Sequence, residues 1–225
     1  MPGHFTFYTD SINNDFALFS EAESKHISKV LRFKIGDQIE FTNGKGRLYN
    51  GRVHSIEKRL VKAIIESVEE YSVPQVSVAV GILKNSDRME WLVEKATELG
   101  VNSIFWMSTD NTERTKLNIE KHRKTAISAM KQSHTAWIPN IEVVNFSSIL
   151  KSSKHSTKLI AYCSDGLNSL KADDFKDSTL ILIGPEGDFS NNEVSDALKN
   201  GFKSIGLGNS ILRTETAVLK ALSIQ

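Results

Sequence analysis

From residue 76 onward the chain repeats one pattern, a short unbroken apolar run followed by a helical or irregular stretch. "VSVAVGIL", "SIFWMS", "KLIAYC", "STLILIG" and "KSIGLG" are such runs. A strand with no polar face is buried on both faces, and strands of that kind separated by helices build a mostly parallel sheet covered on both sides. The helices carry marks of their own. "SDRMEWLVEKATELG" sets Met89, Leu92, Val93, Ala96 and Leu99 on one stripe, with Ser86 or Asp87 as N-cap and Gly100 as the stop. Asn118 is placed to cap another helix that runs through His134. The fold class of this half is α/β.

Earlier in the chain the period changes. "DQIEFTN" and "RLYNGRVHSIE" alternate apolar and polar residues around "NGKG", a hairpin signal because Asn and Gly accept positive φ, and "VKAIIESV" reads as a further strand. This predicts a small β-rich domain over residues 1–72 and an α/β domain over residues 73–225. "YSVPQ", residues 71–75, is the junction, since Pro74 cannot continue a hydrogen-bonded ladder.

Several classes of protein are excluded by what is absent. No apolar run approaches the roughly 20 residues of a membrane span, and "MPGHFTFYTD" lacks the basic flank and apolar core of a signal peptide. The expectation is a cytoplasmic protein with no membrane partner. The single cysteine, Cys163, rules out an internal disulfide and a cysteine-rich metal site, and its place in "LIAYC" predicts a core residue. No histidine spacing suits a metal, so none is expected. "GLGNSI" has Ile211 where a dinucleotide fingerprint needs its third glycine, and neither a phosphate-binding G-x-x-x-x-G-K-[ST] nor a G-x-S-x-G elbow occurs. A net charge of +1 suits no protein that wraps nucleic acid over its whole surface, so an RNA site must be a local patch.

Parallel sheets place ligands beyond the carboxyl ends of their strands. Two runs end in unusual loops: "LILI" enters Gly184-Pro185-Glu186-Gly187, and "IGLG" enters "NSILRTETA". Glycines there let the backbone take unusual angles or approach a ligand closely, although the same residues also serve in tight turns. Composition and spacing stop at an α/β enzyme with a backbone-lined pocket.

A resemblance goes further. "IGPEGDFSNNE" followed by "LGNSILRTETAVLKAL" is similar to the paired signature of the SPOUT-class RNA methyltransferases, and of the ribosomal RNA small-subunit methyltransferase E family. "HISKVLRFKIGD", "EKATELGV", "ERT" and "KQS" with Pro139 fall in the family's order along nearly the whole chain. The resemblance implies an N-terminal PUA-like β-barrel that helps hold RNA, and a C-terminal SPOUT domain with a parallel sheet and a deep trefoil knot. Pattern reading alone would not propose a knot, because knotted chains are rare. It also implies a homodimer, S-adenosyl-L-methionine as cofactor, and methylation of N3 of a uridine in small-subunit ribosomal RNA, free or within the assembled small subunit. The alternatives are another RNA target for the same class of enzyme, or a non-catalytic RNA-binding protein.

By the same resemblance Ile183, Gly184, Pro185, Glu186 and Gly187 form one wall of the cofactor site. Leu207, Gly208, Ile211, Leu212, Arg213, Thr214, Thr216 and Ala217 form the other. Arg213 is expected to stabilise the uridine anion, oriented with the help of Thr214 and Glu215, and Arg114 is a further candidate for the active site or for RNA. His26, Arg32, Arg114, Arg123 and Lys124 are the expected RNA contacts, and Phe5, Phe7 and Tyr8 are either base-stacking or core residues. The chain departs from the family pattern at Asp188, where a glycine is common, at Ser210, at Lys131, and near the N-terminus in "GHFTFYTD".

Overall fold

A computed structural model describes residues 5–112, 117–164 and 166–225. Contacts sort the chain into two units, one of Met1–Val73 with Ile127–Ile138 and the other of Pro74–Ala126 with Pro139–Gln225. Arg114 lies outside the described residues.

The first unit is a sheet built from β1 (Thr6–Tyr8), β2 (Ser11–Ile12), β3 (Phe16–Leu18), β4 (Gln38–Thr42), β5 (Arg47–Glu57) and β6 (Leu60–Glu70). The strand order is β1-β4-β5-β6-β3-β2, and only β1 and β4 run parallel. Between β3 and β4 lies α1 (Glu21–Lys25), which widens into a π-helical turn at His26–Val30. Alternation along the strands sends Phe7, Phe41, Val53, Val61 and Ala63 inward, where they close around Phe19 and Ile27. In the "NGKG" turn the positive φ falls on Gly44 and Gly46, at 70° and 81°. The tip of the β5–β6 hairpin is stranger: Lys58 and Arg59 have φ of 46° and 72°. That left-handed conformation costs an L residue about 1–2 kcal/mol.

The second unit carries β7 (Val76–Gly81), α2 (Ser86–Glu98), β8 (Ser103–Ser108), β9 (Asn140–Asn145), α4 (Phe146–Ser152), β10 (Thr157–Ala161), β11 (Thr179–Ile183), α5 (Asn191–Lys199), β12 (Lys203–Ile205) and α6 (Thr214–Leu222). Between β8 and β9 runs α3 (Ile119–Gln132), which counts with this unit as far as Ala126. The order β12-β10-β11-β7-β8-β9 is parallel at every pairing. Every residue of the central strands β7 and β11 is buried, as their unbroken apolar runs require. No helix among the described residues is long and apolar enough to cross a membrane.

Three local expectations need correction. The cap of α2 is Asn85, whose side chain accepts from the N–H groups of Asp87 and Arg88 at 2.7 and 3.3 Å. An amide side chain one residue earlier reaches these free donors better than the Ser86 hydroxyl does. Leu99 leaves the core stripe and is 38% exposed, because it is the C-cap, and the following Gly100 turns the chain away with φ of 74°. Asn118 does cap α3, accepting from Lys121 N–H at 3.0 Å, but the helix stops at Gln132 and His134 takes φ of 54°.

Candidate active site

The strands β10, β11 and β12 end at Ala161, Ile183 and Ile205. The stretches that follow them enclose a cavity of about 820 Å³. Each wall has a local cause. After β11, Asp188 N–H donates to Pro185 C=O at 2.9 Å, closing the turn, and Ser190 then caps α5 in a reciprocal pair with Glu193. The turn is seated on β7. A Cβ on Gly81 would lie 2.3 Å from Pro185 N, so only glycine lets the proline pack there. Asn111 donates to the carbonyls of Gly187 and Asp188, both at 3.0 Å, and holds the turn from its open side.

Asp188 joins two walls. Its φ is 57°, a conformation that Asp tolerates better than most residues. One carboxylate oxygen accepts from Cys163 N–H at 2.9 Å, in the stretch after β10, and the other accepts from Phe189 N–H at 2.8 Å. The third wall is tied in turn: Gly206 N–H donates to Asn168 C=O at 2.8 Å, and Leu170 N–H to Gly206 C=O at 3.0 Å. Thr214 at the start of α6 donates its hydroxyl to Gly184 C=O at 2.9 Å. Residues 207–213 belong to no strand or helix, so their N–H and C=O groups are not committed to a ladder.

The cavity brings together the expected cofactor residues Ile183, Gly184, Pro185, Glu186, Leu207, Gly208, Ile211, Leu212, Arg213, Thr214 and Ala217. Gly187 and Thr216 are not in its lining. Arg213 is exposed and stands at the N-cap of α6. Glu215 does not turn toward Arg213. Two residues further along the helix it points to α2, where it is 7% exposed and lies 3.7 Å from the Arg88 guanidinium. Its Oε2 is buried with no hydrogen-bond partner among the described residues.

Cys163 is also not where the sequence puts it. Because β10 stops at Ala161, the thiol is exposed and lines the cavity. Partial burial, then the neighbouring Asp188 carboxylate, raise its pKa. The wall residues Tyr162, Ser164, Gly166, Leu167 and Ser169 are not among those expected from the sequence, although the end of the "KLIAYC" run obeys the same strand-end rule as the other two.

The expected RNA contacts lie elsewhere. His26 is half-buried with its ring 6.0 Å from that of Phe7, and Arg32 is exposed with φ of 60°. Arg123 and Lys124 are exposed on α3. Of the neighbouring cations, Lys121 pairs with Glu90 at 2.5 Å and Lys131 with Glu23 at 2.6 Å. Phe7 is core and Phe5 is 41% exposed.

Ile183, Pro185, Leu207, Leu212 and Ala217 give the cavity apolar surface, interrupted by main-chain polar groups, with the charges of Glu186, Asp188 and Arg213 at its wall. That donor set fits a ligand with a flat ring system and polar ends. Comparison with known proteins gives the same direction. The family model for an RNA methyltransferase domain matches residues 69–225, and that for an RNA methyltransferase PUA domain matches residues 19–66. The ribosomal RNA small subunit methyltransferase E of Mesomycoplasma hyopneumoniae is 34% identical, covering 97% of each chain. Among solved structures, a "probable rRNA-methyltransferase" from Porphyromonas gingivalis superposes with a TM-score of 0.87 at 34% identity, over 97% of this chain and 95% of that one. The ribosomal RNA small subunit methyltransferase E of Neisseria gonorrhoeae, bound to S-adenosyl methionine, gives 0.83 at 25% identity, over 98% and 96%.

Proposed function

Because this chain belongs to the ribosomal RNA small subunit methyltransferase E family, we propose that it is an S-adenosylmethionine-dependent methyltransferase acting on N3 of a uridine in small-subunit ribosomal RNA. The observation that carries the reading is the cavity at the ends of β10, β11 and β12, whose volume of about 820 Å³ and mixed lining suit a nucleoside with an amino-acid tail. A relative of the same fold is bound to that cofactor.

When bound, S-adenosylmethionine supplies a methyl group made electrophilic by its sulfonium. The chain's own residues do the rest. Ile183, Leu212 and Ala217 would flank the ring, while the main chain of residues 184–187 and 207–212 would read the polar ends. Uridine N3 is a poor nucleophile while its lone pair is delocalised and its imide proton is in place. Arg213, exposed at the cavity wall, would favour the anion left when that proton goes. Thr214, fixed to Gly184 C=O, would hold the backbone beside Arg213 in position. Glu215 would act only through α6, by its contact with Arg88. The PUA-like domain of residues 1–72, with His26 and Arg32, would hold the RNA together with Arg114, Arg123 and Lys124.

A homodimer and a trefoil knot belong to the same reading. The dimer is supported by α2, whose large apolar side chain Trp91 is 43% exposed, with Leu99 at the helix's C-cap 38% exposed.

The test uses methyl-labelled S-adenosylmethionine with small ribosomal subunits from cells lacking this protein, followed by nuclease digestion. Label in N3-methyluridine is the expected result. Label in another nucleoside would discard the N3 assignment, and cofactor binding without any label would point to a different RNA.

A further inference from the structure

Asp188 is a carboxylate that the fold holds in place without neutralising it. The turn of residues 184–187 brings it back over its own backbone. With φ of 57° and its N–H on Pro185 C=O, its side chain lies against Gly184, where a Cβ would come within 2.9 Å of Oδ1. Bare backbone at Gly184 is what lets the carboxylate settle there. Phe189 N–H and Cys163 N–H then fix the two oxygens, at 2.8 and 2.9 Å. Both donors are neutral main-chain groups. Among the described residues no lysine, arginine or histidine pairs with Asp188, so a full negative charge stands half-buried at the cavity wall with its orientation already set.

The carboxylate also has acceptor capacity to spare. Two oxygens offer about four lone-pair sites, and the two N–H groups occupy half of them. The Cys163 thiol beside it donates only weakly and yields to a stronger partner. An ionised group that is preorganised and short of a counter-charge suits a cation carrying N–H groups. The rest of the lining divides by chemistry. Ile183, Leu212 and Ala217 supply apolar surface for a ring system, whereas the stretch that Asp188 binds carries the exposed, polar Cys163 and Ser164.

We propose that Asp188 receives the α-ammonium group of S-adenosylmethionine, so that the cofactor's amino-acid end lies against the stretch after β10 and its ring system against the apolar surface. The inference rests on the reading that the cavity holds this cofactor. Among the cofactor's polar groups, the adenine amine and the ribose hydroxyls are neutral, and the sulfonium has no N–H to donate. Only the ammonium offers both charge and donors. Its neighbouring carboxylate is left to main-chain N–H groups of the cavity. A glycine at position 188 would keep the turn and lose this recognition, so the residue there sets how much of the affinity comes from the amino-acid end.

The test titrates the full wild-type chain, Asp188→Asn and Asp188→Gly with three ligands in a calorimeter: S-adenosylmethionine, S-adenosylhomocysteine, which lacks the sulfonium charge, and methylthioadenosine, which lacks the amino-acid end. Melting without ligand checks that each variant is folded, and glycine is free of strain at this φ. Both variants should bind the first two ligands about tenfold more weakly, near the lower range for a lost hydrogen bond between charged groups, and methylthioadenosine as the wild type does. An equal loss for all three would overturn the proposal and leave Asp188 as a device that shapes the wall. Loss for S-adenosylmethionine alone would also overturn it, by moving the contact to the sulfonium, and so would no loss at all. A wild-type chain that binds none of the three would bring down the cofactor reading and the inference with it. Loss confined to ligands with the amino-acid end, in a protein that places no label on uridine N3, would uphold the inference and strike the proposed reaction alone.

Discussion

Asp188 occupies a position where glycine would be free of strain, and it answers that strain with two charge-assisted hydrogen bonds, one local from Phe189 N–H and one from Cys163 N–H in the neighbouring wall. Its replacement separates the two effects. Asp188→Gly should relieve the backbone and release Cys163 N–H, so that S-adenosylmethionine affinity falls roughly tenfold, within the range for a lost hydrogen bond to a charge. Calorimetric titration of the cofactor measures this, and an unchanged affinity would make the carboxylate a local turn device only. Cys163 reports the same tie. With its pKa raised by burial and by Asp188, the exposed thiol should alkylate slowly at neutral pH and faster only above the ordinary thiol range. In Asp188→Asn that onset should move to lower pH, followed by iodoacetamide labelling and mass spectrometry. Arg213 is the residue proposed for the chemical step. Arg213→Ala should lower the single-turnover rate on saturated subunits about a hundredfold, the range for loss of one electrostatic donor, with little change in cofactor affinity. The reverse pattern would assign it to cofactor binding.

At the scale of elements, what could be read in advance was whatever has a period. β7 and β11 are buried on both faces, so their apolar runs admitted no other reading, and Met89, Leu92, Val93 and Ala96 marked the inner face of α2. The short strands β1, β2 and β3 hold two or three residues each, too few for alternation to register. The sequence from Tyr162 to Ser169 has no period at all. Its described residues Tyr162, Cys163, Ser164, Gly166, Leu167 and Ser169 form a wall only because β10 and β12 are neighbours in the sheet, an order that local patterning does not encode. Gly184 and Gly208 were legible as glycines at strand ends, but the partner that makes Gly81 necessary, Pro185, comes from a distant part of the chain. Gly81→Ala would set a methyl group 2.3 Å from Pro185 N and 2.9 Å from its Cα, where backbone has to give way. It should destabilise the protein by about 1–3 kcal/mol, the range for overpacking, and weaken cofactor binding along with it. Denaturant unfolding with and without S-adenosylmethionine checks both, and a neutral substitution would mean the turn does not rest on β7.

For the whole molecule, a net charge of +1 leaves no field strong enough to draw RNA to every surface, so recognition has to be concentrated where cations are unpaired. Self-association should follow α2. Trp91→Glu, at a side chain 43% exposed, should convert a sedimenting dimer to monomer without unfolding it, and a monomeric wild-type protein would remove the dimer from the proposed function. The placement of β11 also governs how the chain reaches its native state. It lies between β10 and β7, and Thr179 pairs with Val76 across more than half of the second unit's sequence. Contacts between such distant segments form slowly, because the loop must close before any pairing compensates for it. The walls on either side of Gly184 therefore come together late in refolding. S-adenosylmethionine should slow unfolding while leaving the refolding rate untouched, since the pocket it would fill does not exist at the barrier.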